Sequence, residues 1–448
     1  MSARRCDALS STWSVDEHLA DVLGAVRPLE PLELSLLDAH GCVLVEDVTV
    51  PTALPPFDNS SMDGYAVRTA DVAGASEEFP AVLTVVGDVA AGSGELPEVG
   101  PGQAARIMTG APLPPGAQAV VPVEWTDGGK GAGPAAAMAA ASTDPSGAAG
   151  EVRVHRAAAE GRHVRRAGSD AAAGELALAA GTVLGPPQIG LLAAIGRGSV
   201  RVRPRPRVVV LSTGSELVPP GEKLGPGQIH DSNSFVLTAA ARDAGALAYR
   251  ASAVADDADS LRDAVEEQLV RADVLVTSGG VSVGAYDVVK EALGERLDAD
   301  GGAVEFRRLA MQPGKPQGFG LVGPDRVPLL ALPGNPVSSY VSFELFVRPV
   351  IRTLMGLPSV HRPKVRARLA AEAPLTSPDG KRQFLRGRYE PSEGGGTGGV
   401  RPVGGAGSHL VAALAQADAL IVVPESVTEV APGEELEVLL LGVDGSAV

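Results

Sequence analysis

The spacing of apolar residues changes character along the chain, and each change predicts a different architecture. Val15, Leu19, Val22, Leu23 and Val26 recur at helical intervals behind Ser14, with Glu17 three residues on, so a capped helix is expected from Ser14 to about Arg27 after a frayed tail at 1–13. Between positions 32 and 154 the apolar runs are short and strand-like: 32–37 and 42–50 about His40-Gly41, the YAV of 65–67, then 82–89, 105–108, 120–125 and 151–154. From Val208 the pattern alternates. Strands at 208–211, 248–254, 274–276 and 304–309 are separated by helical patterns at 231–244, around Leu261, Val265 and Leu269, and from about Tyr286; PLLALPGNPVS then leads into a long helix to about Met355. Such alternation predicts a doubly wound parallel sheet with helices on both faces. VRARLA, RQFLRGRYE, ALIVVPE and ELEVLL, with Gly-rich turns between them, predict a last small all-β domain, a barrel or an open sandwich.

The interruptions are as informative as the elements. RVRPRPR at 201–207 reads as a stiff linker and the clearest domain boundary, and 128–150 as a low-complexity exposed loop with no assigned role. In a parallel sheet, ligands bind outside the carboxyl ends of the strands. Five turns would gather there: STGSEL (212–217), VADD (254–257), TSGGVSVG (277–284), MQPGKP (311–316) and LPGNPVS (332–338). Gly279, Gly280 and Gly284 would let the backbone turn tightly with N–H groups facing an anion, and Asp287 would follow as a metal or proton-handling group. Taken alone, each has a plainer reading, as a geometric turn and a helix-start acid.

Composition narrows the options. A length of 448 residues predicts two to four domains. The chain is 45% hydrophobic but only 3% aromatic, which leaves few stacking platforms for bases. With 38 basic and 54 acidic residues the net charge is −16, unfavourable for nucleic acid and anionic membranes, so an anionic ligand needs a local cationic pocket. Cys6 and Cys42 make no metal-binding spacing. Cys6 and Asp7 interrupt any export signal begun by Arg4 and Arg5, and no apolar run approaches membrane-span length, so a cytoplasmic protein is expected.

Eight motifs in order, DNSSMDGYA (58–66), RIMTGAP (106–112), RRAGSD (165–170), LSTGSEL (211–217), DSNS (231–234), TSGGVSVGAYD (277–287), PGKP (313–316) and LPGNPVS (332–338), resemble the molybdopterin molybdenumtransferase family, of the MoeA and gephyrin E-domain type. The resemblance implies a multidomain α/β plus β protein. Its parts would be an elongated, segmented N-terminal domain (12–50 and 156–204), an inserted β-rich lobe (51–155), a Mog-like α/β molybdopterin-binding domain (205–357) and a C-terminal β-barrel (358–448). It implies a homodimer in which Asp63 and Thr109 serve the partner's site, with transient contact to the molybdopterin adenylyltransferase. The implied reaction inserts molybdate into adenylylated molybdopterin with Mg²⁺-dependent release of AMP. The alternatives are the preceding adenylylation step and a non-catalytic pterin-binding scaffold.

Carried over motif by motif, the resemblance implies catalytic roles for Asp287, Asp63, Lys315 and Glu216, and metal ligation by Asp287 with Asp256. Substrate contacts would come from Thr109, Arg165 and Asp170; from Ser212, Thr213 and Gly214; and from Ser278, Gly279, Gly280, Ser282 and Gly284. Pro333, Gly334, Asn335, Pro336 and Ser338 would add a further loop, and Arg386 and Ser408 an oxyanion contact. Gln312 stands where many relatives carry a lysine, leaving Lys315 as the main local cation.

Overall fold

The computed structural model describes residues 12–131, 135–137, 150–251, 257–280, 288–294, 303–392 and 395–442. The chain divides into two compact units, Glu46–Ser199 and Met1–Val45 together with Val200–Val448. The lobe expected at 51–155 and most of the second N-terminal segment, 156–199, therefore fall in one unit.

In the larger unit, the first helix begins where the capping box predicts. Ser14 N donates to Glu17 Oε2 at 2.8 Å and Glu17 N to Ser14 Oγ at 3.1 Å. The helix spans Val15–Gly24. It stops short of Arg27 because the Arg27 guanidinium folds back onto the carbonyls of Gly24 and Val26, at 2.8 and 2.7 Å, and satisfies the helix end itself.

The α/β domain is built on a six-stranded sheet in the order Leu247–Arg250, Arg207–Ser212, Val274–Ser278, Val327–Leu332, Pro316–Val322, Val304–Arg308. The first four are parallel; Pro316–Val322 runs against them and Val304–Arg308, antiparallel to it, runs with them, so the sheet is mixed at one edge. Its central strands are buried apart from Arg207 at the start of one of them, which is why they read as runs rich in Val and Leu. Helices Asn233–Asp243 and Ala258–Leu269 pack into two separate clusters, around Leu237 and around Leu261 with Val265. The predicted long helix is broken into Pro336–Ser342, a π-turn at Phe343–Val347 and Arg348–Leu354. Pro349 has no N–H to return to the preceding turn, so regular α-helical bonding cannot continue through it.

The RVRPRPR segment is not a free linker. Ser199–Arg203 is a strand that pairs Val202 with Leu44 and Arg203 with Val43. Arg203 Nη1 bonds the Leu29 carbonyl at 2.7 Å, and Arg205 bonds those of Gly245 and Ala246 at 2.6 and 3.0 Å. Backbone carbonyls far away in sequence satisfy these arginines, which composition alone cannot reveal. At the C-terminal end, strand Arg382–Glu390 pairs with both Gly398–Pro402 and Ala419–Val423 and thereby closes a barrel completed by Lys364–Leu369 and Glu435–Leu440.

The smaller unit is organised by a five-stranded sheet in the order Ala119–Pro122, Gly64–Val67, Gln103–Ile107, Ala81–Val89, Glu151–Val154. Tyr65, Val67, Leu83, Val121 and Val152 fill one side of it.

Candidate functional site

Four of the five turns expected at the sheet edge meet in one cleft of about 1080 Å³ in the larger unit, which is also lined by residues of the barrel loop 406–409. Most of the fifth turn, including Asp256, lies outside the described residues, as do Ser282, Gly284 and Asp287. MQPGKP reaches the same edge although it precedes an antiparallel strand. Gly318 pairs with Ala331, so the start of that strand lies beside the carboxyl end of its parallel neighbour.

Strand pairing continues into the loops. Thr213 N donates to Ser278 O at 3.0 Å, and Gly279 N to Leu332 O at 3.2 Å. The second bond corrects the expectation that the Gly279 N–H faces an anion, because inter-strand pairing already occupies it. Glycine is still required there: φ is +107° at Gly279 and +61° at Gly280, and a Cβ would lie 2.6 Å from Thr213 O and 2.4 Å from Val289 Cγ2 respectively.

Asn233 ties the turns together. Its Nδ2 donates to Ser278 Oγ at 2.9 Å and to Gly334 O at 2.6 Å. Ser278 Oγ lies 3.1 Å from Ser339 Oγ, which in turn donates to the Pro333 carbonyl. Below this network the buried Asp231 accepts from Ser212 Oγ at 3.1 Å and Ser234 N at 3.0 Å, and also bonds Ser234 Oγ. Both Asp231 oxygens are occupied, so it fixes the start of helix Asn233–Asp243 and is a poor metal ligand. Ser212 is thus engaged under the cleft rather than lining it. DSNS carried the signal for these residues, but neither Asp231 nor Asn233 stands out without the contacts.

At the other end of the cleft, Gln317 Nε2 clamps the PGKP turn by donating to Gly314 O at 2.7 Å and to Ser342 Oγ at 2.6 Å. Lys315 is exposed there, the one lysine among the described lining residues, which include no arginine. Val337 N donates to Ser408 O at 3.0 Å and docks the barrel loop beside Asn335, Pro336 and Ser338. Arg386 does not line the cleft. It is 2% exposed and grips the carbonyls of Gly405 and Gly407 from behind, and burial pushes its guanidinium below the ordinary value. Its direct role is to shape the loop that carries Ser408.

Glu216 is exposed at the cleft, its carboxylate folded over Gly214, where a Cβ would lie 2.6 Å from Oε2. Among the described residues, no group of three or more His, Cys, Asp or Glu forms a metal cluster. A Mg²⁺ ion needs only one or two protein carboxylates, and Glu216 can supply one.

The remaining predicted residues gather in the smaller unit. Asp63 Oδ1 accepts from Thr109 N at 2.7 Å and Thr109 Oγ1 at 2.9 Å. Arg165 pairs with Asn59 across a short antiparallel ladder, and Gly110 N donates to Ser60 O at 2.8 Å. Asp58 accepts from Ala167 N at 2.8 Å and Arg166 Nη1 at 2.6 Å, and these two bonds, the backbone one foremost, hold its carboxyl below the usual range. DNSSMDGYA, RIMTGAP and RRAGSD therefore form one cluster, with the exposed Asp170 anchored by its backbone N–H to Leu54 O at 2.9 Å. His163 was not predicted. It adopts φ +56°, gives its carbonyl to Ser61 N at 2.9 Å and packs edge-on to Trp125.

Three family profiles match the chain: MoeA N-terminal region (domain I and II) over 13–196, probable molybdopterin binding domain over 209–353, and MoeA C-terminal region (domain IV) over 368–441. Molybdopterin molybdenumtransferase 2 of Mycobacterium tuberculosis H37Rv is 46% identical, with 95% of this chain and 98% of that protein covered. Molybdopterin molybdenumtransferase 1 of the same strain is 40% identical over 96% and 100%. Among solved structures, a molybdopterin biosynthesis MoeA protein from Pyrococcus horikoshii aligns with a TM-score of 0.70 at 33% identity, over 96% of this chain and 100% of that one.

Proposed function

The chain belongs to the molybdopterin molybdenumtransferase family, and we propose that it completes molybdenum cofactor synthesis by inserting molybdate into adenylylated molybdopterin, with Mg²⁺-dependent release of AMP. The observation that carries this reading is the single cleft shared by the turns 213–216, 278–280, 312–316 and 333–338 and the barrel loop 406–409. Its contents suit a substrate that is both polar and anionic.

Lys315 supplies a mobile positive charge for molybdate or phosphate oxygens, and Ser338 and Ser408 supply hydroxyl donors. Arg386 positions Ser408 through its hold on the loop carbonyls. The close turns at Gly279 and Gly334 admit the pterin phosphate and nucleotide near the backbone; a Cβ on Gly334 would lie 3.4 Å from Gly279 Cα. Glu216, with Asp287 and Asp256 from their motifs, would hold the Mg²⁺, which when bound neutralises charge on the phosphoanhydride as water adds and AMP leaves. Asp63 and Thr109 act in a homodimer as contributions to the partner's site, and the substrate is received from the adenylyltransferase.

The test supplies adenylylated molybdopterin, Mg²⁺ and molybdate and follows AMP together with active cofactor. Formation of both supports the reading. AMP and cofactor at background levels with competent substrate refute it, and ATP consumption with free molybdopterin would instead support adenylylation.

A further inference from the structure

We infer that His409 is the proton donor for oxygen loss from molybdate at this cleft, an assignment that rests on the insertion reading above. The cleft's described titratable side chains are Glu216, His230, Asp231, Lys315 and His409, with Arg386 behind the barrel loop. Three of these six are already committed. Asp231 is held by Ser212 and Ser234, His230 Nε2 lies 2.9 Å from the Glu222 carbonyl, and Arg386 bonds two loop carbonyls. His409 is exposed at the cleft, and its ring has no hydrogen bond or ion pair among the described residues.

The loop holds this ring in the cleft next to Ser408. Ser408 O is fixed by Val337 N at 3.0 Å, and Arg386 holds Gly405 and Gly407. A Cβ on Gly407 would lie 3.1 Å from His409 Cε1, so the ring rests against the bare Cα of that glycine. His409 therefore shares the cleft with Ser408 and Lys315 while both ring nitrogens stay available.

The reaction can use such a group as a proton relay. Exchange of molybdate with a dithiol gives a trioxo-dithiolene dianion and water: two Mo–S bonds form, one Mo–O bond breaks, and the two thiol protons leave on the departing oxygen. Molybdenum keeps its oxidation state. The imidazolium of His409 gives a proton to that oxygen and is recharged by a thiol. Lys315 offers a compact point charge to the oxyanion, whereas an imidazole ring has one nitrogen to give a proton and another to accept one.

His409→Ala, His409→Gln and the unaltered protein are compared for insertion with and without added imidazole, alongside equilibrium dialysis of molybdate. The expected result is a fall of about 100-fold in insertion rate for both variants, molybdate still retained, and recovery of His409→Ala by imidazole. An insertion rate in His409→Ala equal to that of the unaltered protein, or a loss that imidazole does not restore, overturns the role while leaving the insertion reading standing. No insertion by the unaltered protein removes that reading and this role together.

Discussion

Glu344 and Arg362 form a buried ion pair whose removal should be among the most damaging single changes outside the cleft. Arg362 Nε lies 2.7 Å from Glu344 Oε2 and Nη2 3.1 Å from Oε1, with side-chain exposures of 2% and 1%. Arg362 also reaches Asp243 at 3.1 Å and the Gly442 carbonyl at 3.0 Å, and these carboxylates hold its guanidinium above the ordinary value against the cost of burial. Glu344 lies in the π-turn of the helical run that begins at the cleft with Pro336, so the pair joins that run to the segment leading into the barrel. Glu344→Ala leaves a guanidinium only 2% exposed with the partly exposed Asp243 as its counter-charge. The expected cost is about 3–5 kcal/mol, because the desolvation already incurred is no longer offset. Arg362→Leu should cost a similar amount. A Glu344→Met/Arg362→Leu double variant should be at least as stable as either single, since it removes both desolvated charges. Urea unfolding monitors all three. A Glu344→Ala cost below about 1 kcal/mol, or a double variant whose cost equals the sum of the singles, would refute the buried-charge argument.

Asn233→Ala removes two hydrogen bonds that hold the Ser278 and Gly334 turns together, with an expected stability loss of about 1–3 kcal/mol and a larger loss of substrate affinity than of turnover, read from KM and kcat. Lys315→Met should raise the molybdate concentration for half-maximal insertion by about tenfold or more, with Lys315→Arg intermediate, because a charge-assisted contact is worth about 1.5–3 kcal/mol. His18 is 1% exposed, edge-on to Phe346 at 4.8 Å and near Arg307; burial first, and then Arg307, push its pKa from 6.5 down to about 4. Its folded form is neutral, so its contribution is full above pH 6.5 and is lost as pH falls from there through about 4, by about 3 kcal/mol at the acid limit. Unfolding measured across that window should steepen for the unaltered protein and flatten for His18→Leu; equal slopes would contradict the assignment.

Local signals along the chain already held much of the fold. The Ser14/Glu17 capping box, the Val/Leu runs of the central strands and Pro336 at a helix start depend on contacts within a few residues, and the same residues act in the folded chain as their spacing predicts. The turns of the cleft were legible for a related reason, since a parallel strand must deliver its carboxyl end to the common edge. Tertiary structure decided everything that depends on which carbonyl or carboxylate meets a side chain from far along the sequence. Arg203 and Arg205 look like linker residues until Leu29, Gly245 and Ala246 satisfy them. Arg386 looks like an anion contact until Gly405 and Gly407 draw it behind the loop, and the Gly279 N–H looks free until Leu332 pairs with it. Asp231 and Asn233 belong to the site only because Ser212, Ser278 and Gly334 converge on them in space. Spacing predicts which groups can reach an edge; only the fold determines which of them arrive with a hydrogen bond still to give.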